Sequence, residues 1–214
     1  MKRKLFIIVC LLLVGCTGNK YEFIPEKLNS SGVGIDDSSV TTLNLDNYLF
    51  RKDTIYVDLR PYSWSLRDGY IAGFSFYPFY DLFASRKDSD ARLYTMSNVT
   101  LDDGTTVQGG QVGSFIPNYV ESEQFINDLF PKDKYIFAIS QSGLECTYFL
   151  SLLIQLGYDA SKLYNVGGFS NSTGFDNIAY IDLENPKYLV QGNPYLDNEI
   201  HESFNFNENL TPIS

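Results

Sequence analysis

Apolar positions along the chain come in short runs separated by polar turns, and the runs predict strands interleaved with helices. Tyr135 to Ile139 is an unbroken apolar stretch, short enough for a buried strand of a parallel sheet. Ser140-Gln141-Ser142-Gly143 follows as a polar turn in which Gly143 supplies conformational freedom. Thr147 to Leu156 then reads as a mostly buried helix, closed by Gly157 at the C′ position. Strand, tight loop and helix N-terminus together make an anion cradle, because loop N–H groups converge there and the helix dipole favours negative charge.

The same reading extends to both sides. Val40 to Phe50, with Leu43, Leu45, Tyr48 and Leu49 as its apolar positions, predicts a short strand running into a helical turn. Thr54 to Asp58 is a β-branched strand that exits into a loop at Leu59-Arg60-Pro61. Tyr62, Trp64, Tyr70, Phe74 and Phe76 make an aromatic-rich loop, serving either as core or as the rim of a binding surface. Asp102-Asp103-Gly104 between β-rich runs is a hairpin signal. Glu121 to Phe130 predicts a helix burying Phe125, Ile126, Leu129 and Phe130 and stopped by Pro131. Leu163 to Phe169 is a further strand, and 178–182 and 188–191 suggest two short ones. From Asn198 the chain is polar and predicts a frayed tail containing His201, the one histidine.

The first residues do not belong to this pattern. Lys2-Arg3-Lys4 precedes an apolar run from Leu5 to Val14, too short to span a bilayer comfortably. The run ends in Leu13-Val14-Gly15-Cys16, which resembles the lipobox of bacterial lipoprotein signal peptides. That resemblance implies cleavage after residue 15, a diacylglyceryl thioether on Cys16 and an extracytoplasmic, membrane-anchored location. The alternative is an uncleaved signal anchor. Two or more acyl chains would hold the protein stably where one would be marginal. Residues 16–39 then read as lipidated cysteine and linker, Gly/Ser/Asn-rich and acidic.

Charge and cysteine content narrow the function classes. Loss of residues 1–15 removes three basic side chains and no acidic ones, taking the net charge from −10 to −13. So acidic a surface argues against nucleic acid and anionic headgroups as partners. With Cys10 removed and Cys16 lipidated, Cys146 stands alone and the mature chain has no internal disulfide. No metal-ligand spacing occurs, and neither a metal nor a cofactor is expected.

Asp58-Leu59-Arg60, Gly69-Tyr70-Ile71-Ala72-Gly73 with Pro78, the 136–146 strand and loop, and Leu163 to Phe169 with its Gly167-Gly168 pair occur in a telling order. Together they resemble the rhodanese-like family, whose early motifs read Asp-x-Arg and Gly-His-Ile-x-Gly-Ala. The resemblance implies an α/β domain over 40–197, three layers with a central, mostly parallel sheet flanked by helices. Residues 86–117 would be an inserted β-hairpin and loop, read as a peripheral decoration, with a position near the mouth of the cradle as the other possibility. Active members carry sulfur as a persulfide on a cysteine that opens the cradle loop, beside an arginine.

Here the loop reads Ser140, Gln141, Ser142, Gly143, Leu144, Glu145, Cys146. Ser140 stands at the nucleophile position and Glu145 where arginine commonly sits. A hydroxyl forms no persulfide and needs a base to become a nucleophile. Ser140, Ser142 and Glu145 also suit the start of a helix, so Ser140 or Glu145 is expected to satisfy the loop amides internally. Cys146 is either an inert buried thiol or the nucleophile of a sulfurtransferase-type enzyme. Asp58 and Arg60 are expected to organise the loop through a salt bridge. The expectation is therefore a binding or scaffolding module whose protein or small-molecule partner the sequence does not identify.

Overall fold

A computed structural model describes residues 39–85, 92–100, 102–107, 114–170, 178–193 and 210–213. The leader, Cys16, most of the linker and His201 lie outside the described residues. In chain order the elements are β1 (Thr54–Asp58), α1 (Tyr62–Asp68), β2 (Tyr70–Ile71), β3 (Ser75–Phe76), a π-helical turn (Phe79–Phe83) and β4 (Ala84–Ser85). There follow β5 (Tyr94–Met96), β6 (Val99–Thr100), β7 (Thr106–Val107), β8 (Phe115–Pro117) and α2 (Ser122–Leu129). β9 (Tyr135–Ser140), α3 (Leu144–Gln155), β10 (Leu163–Gly168) and β11 (Leu189–Val190) complete the set.

The fold is mixed α/β around a four-stranded parallel sheet in the order β10-β9-β1-β3. The β9 run is uniformly apolar because it lies between β10 and β1 and is covered on both faces. Val57, Ile136, Ala138 and Leu163 face a core shared with α2, α3 and the π-helical turn. Tyr56, Phe137, Ile139, Tyr164 and Val166 face a second core closed by Val40, Leu45, Leu49 and Tyr180. α-Helices therefore cover one face, and 3-10 helices at Leu45–Asn47 and Tyr180–Asp182 cover the other. α3 ends at Gly157, where φ is +80° and the Tyr158 N–H reaches back to the Leu153 carbonyl.

Several expectations are corrected. Residues 40–50 hold no strand; the segment is a turn and a 3-10 helix, and Leu43 is exposed. Tyr62–Asp68 is a helix and not a loop: Pro61 sets its start and Gly69, at φ +97°, its end. Aromatic residues carry weak helix propensity, so the segment did not read as helical. Residues 180–182 form a 3-10 helix and not a strand, anchored by the Tyr180 hydroxyl donating to Asp46 at 2.6 Å. Only β11 pairs, antiparallel to β2.

In the 86–117 region, Val99–Thr100 pairs antiparallel with Thr106–Val107 around the Asp102-Asp103-Gly104 turn. Its base is not a decoration: β5 lies between β4 and β8, and Leu93, Tyr94, Met96 and Phe115 are buried in the α-helical core. Nor does the described end of the tail fray. Pro212 bridges to Tyr119, and Thr211 donates to the Glu121 carboxylate through both its N–H and its hydroxyl.

Phe83, Phe130 and Phe149 pack together on the α-helical side, with the Phe83 and Phe149 rings stacked at 5.0 Å. Replacing Phe149, which is fully buried, by alanine should cost about 3–5 kcal/mol of unfolding free energy. Urea titration of F149A against the parent checks this.

Candidate functional site

The strand-loop-helix unit is built as its residues dictate. β9 ends at Ser140, and Gly143 at φ +91° turns the chain into α3. The Gly143 N–H donates to Ser140 Oγ at 2.9 Å. Of the two residues expected to satisfy loop amides, Ser140 does so, and Glu145 makes no such bond among the described residues.

The loop is fastened to β10 by residues that motif reading passed over. The Asn165 amide donates to the Gly143 carbonyl at 3.0 Å and to Thr147 Oγ1 at 3.3 Å. Its own oxygen accepts from Gly167 N–H across a register shift in the strand. The N–H groups of Phe169 and Ser170 donate to the carbonyls of Ser140 and Gln141, and Gln141 Nε2 donates to Ser170 Oγ. Strand and loop approach so closely that a Cβ on Gly168 would stand 3.0 Å from the Gln141 carbonyl oxygen. A buried asparagine in a strand was the available signal, since such a side chain must find partners.

Asp58 and Arg60 form a buried ion pair beside this loop. Arg60 Nη2 lies 2.6 Å from Asp58 Oδ2, and Nε donates to Asp58 Oδ1 at 3.0 Å. Nη2 also donates to the Gly69 carbonyl at 2.9 Å, and the guanidinium lies 3.6 Å above the Phe169 ring centroid. The pair thus ties the exit of β1 to the α1–β2 turn and to the end of β10.

A pocket of about 110 Å³ opens between these parts. Leu59, Arg60 and Pro61 line it from the exit of β1, Trp64 from α1, Pro78, Phe79, Tyr80 and Asp81 from the π-helical turn, and Gln141 and Glu145 from the loop. The five aromatics of the supposed loop divide. Trp64 reaches this pocket, Phe74 belongs to the second core, and Tyr62 and Tyr70 each pack edge-on against Phe76. Tyr80 and Asp81 were not singled out by sequence, because only the fold carries their turn across to the loop.

Neither candidate nucleophile lines this pocket. The Ser140 side chain is wholly buried beneath the loop. Cys146 is also fully buried, turned into the core from the first turn of α3. Burial pushes its thiol well above the ordinary value of 9.0; a hydrogen bond with Ser140 opposes this and the negative charge of Glu145 adds to it. The described residues contain no group of three or more potential metal ligands. Asp81 is held by Arg92 at 3.4 Å, whereas Glu145 has no ion pair among the described residues.

Comparison with known proteins returns no match to a family model, a curated protein or a solved structure.

Two outcomes follow. Cys146 should resist alkylation in the native protein at pH 8 and react on unfolding, which mass spectrometry with iodoacetamide reads directly. Because its folded pKa is raised, the thiol's contribution to stability is complete below about pH 9 and declines above it. The slope is about 1.4 kcal/mol per pH unit for one group. Urea midpoints between pH 9 and 10 should therefore fall less steeply in Cys146→Ala than in the parent. Separately, Asp58→Ala should cost about 3–5 kcal/mol, because it strands a buried guanidinium. The double variant D58L/R60M should cost less than the sum of the single changes.

Proposed function

We propose that this protein is a membrane-anchored lipoprotein whose rhodanese-like domain performs no sulfur transfer and acts as a binding module. The observation that carries the reading is the chemistry of positions 140 and 145. Where a sulfurtransferase needs a thiolate, Ser140 is sealed under the loop and occupied by the Gly143 amide. Where it needs a cation, Glu145 contributes a carboxylate to the pocket wall. Two like charges about 4 Å apart repel by about 1–4 kcal/mol at effective dielectrics of 80 to 20. An anionic donor such as thiosulfate is thus disfavoured at the step where active members attract it.

The rival reading, a sulfurtransferase using Cys146, requires an accessible thiol of lowered pKa. Cys146 is buried and its pKa is raised, so the observations favour the module. The anchoring half of the proposal rests on the Leu13-Val14-Gly15-Cys16 sequence. No helix among the described residues is long and apolar enough to cross a membrane, so attachment would rest on the leader and its lipid.

Purified protein incubated with thiosulfate and cyanide should form no thiocyanate above a heat-denatured control, and Cys146→Ala should behave identically. Turnover abolished by C146A, or a persulfide on Cys146 in the mass spectrum, would overturn the non-catalytic reading. Metabolic labelling with palmitate should mark the parent and not Cys16→Ala, and that variant should leave the membrane fraction.

A further inference from the structure

We infer that residues 210–213 are a strap that sets the position of the pocket wall at Tyr80 and Asp81, acting through Asn118 and Arg92. This assigns a means of regulation to the pocket of the proposed binding module, and for its purpose rests on that reading.

Each residue of the segment is seated by a different contact. Leu210 packs, partly buried, against the α-helical core. Thr211 grips the Glu121 carboxylate, its N–H donating at 2.8 Å and its hydroxyl at 2.7 Å. Val120 N–H donates to the Thr211 carbonyl and Ile213 N–H to the Asn118 carbonyl, both at 2.9 Å. Pro212 lies opposite Tyr119 between these two bonds, at the kind of antiparallel position whose own N–H is not called on. Proline fits at 212 and would not at 211 or 213, where the N–H donates. Sequence and seat match residue by residue, as expected of a specified contact.

That seat is one end of a chain of hydrogen bonds whose other end is the pocket. Asn118 N–H donates to the Leu93 carbonyl at 2.9 Å, and Asn118 Nδ2 donates to the Arg92 carbonyl at 2.9 Å. Thr95 Oγ1 donates to Asn118 Oδ1, which fixes the orientation of the amide. Arg92 then reaches across to the π-helical turn. Its Nε donates to the Tyr80 carbonyl, and its Nη2 stands 3.4 Å from Asp81 Oδ1. Tyr80 and Asp81 both line the pocket.

Arg92 and Asp81 are partly exposed, and such an ion pair fixes little by itself. What steadies Arg92 over the turn is its backbone, held by Asn118. The turn benefits from an outside hold, because π-helical geometry is rare and seldom outlasts a single turn. The strap is the end of the chain able to let go. Residues 211–213 are exposed, so their release breaks few contacts while loosening Asn118 and, through it, Arg92.

Hydrogen–deuterium exchange on full-length protein in detergent reads both ends of the chain. Ile213→Pro deletes the N–H that reaches Asn118. Exchange should quicken by at least about threefold in 118–122 and in 78–85, and stay unchanged in α3. Arg92→Met cuts the chain further along, and should quicken 78–85 while leaving 118–122 protected. Adding I213P to R92M should then change 78–85 no further. Release confined to 118–122, loosening that spreads equally over α3, or effects at 78–85 that simply add would each overturn the assignment. The unaltered protein gives a second test, by exchange in increasing urea. The segments 118–122 and 78–85 should lose protection together and ahead of α3, and separate openings would overturn the strap. Neither measurement involves a ligand or sulfur transfer, so failure here is distinguishable from failure of the binding-module reading.

Discussion

The ion pair between Asp58 and Arg60 is the constraint on which the site depends. It stands at the end of β1, where a strand would otherwise run out into solvent, and gathers three other pieces of chain around itself. The Asp58 carbonyl accepts from Tyr77 N–H at 2.8 Å, Arg60 holds the Gly69 carbonyl, and Phe169 stacks beneath the guanidinium. Pairing two charges out of water is no guarantee of net stability, but removing one partner is costly. The pair is better understood as a register pin that makes one arrangement of the loops far better than its neighbours.

From that pin follows the character of the loop opposite. Its backbone is held by Ser140 from below and by Asn165, Phe169 and Ser170 from β10. A loop so fully tied is a rigid wall, and rigid walls keep polar atoms in fixed directions at little entropic cost on binding. Neither Ser140 nor Cys146 reaches the pocket from this loop, since both side chains are buried beneath it.

The parallel sheet was legible because burial on both faces leaves continuous apolar runs. Thr54 to Asp58, Tyr135 to Ile139 and Leu163 to Phe169 all read as strands, and α2 and α3 as helices, each within a few residues of where it forms. Short elements were not legible. Tyr62–Asp68 is too aromatic to advertise a helix, and 178–182 is β-rich in composition yet contains the 3-10 helix Tyr180–Asp182. The loop itself was visible from its glycine and its position after a strand. The pocket was not, because Tyr80, Asp81 and Trp64 reach it only through tertiary packing. Asn165 escaped for a related reason: its role exists only once β10 lies alongside the loop.

The neutralisation of Arg60 by Asp58 has an evolutionary consequence. With that guanidinium already spoken for, the electrical sign of the cleft is set largely by position 145, a side chain outside the ion-pair frame. The charge of the cleft and the foldability of the chain are thereby placed in different hands. Drift at this one codon would reverse the charge on that wall of the cleft while leaving the pin and both cores in place.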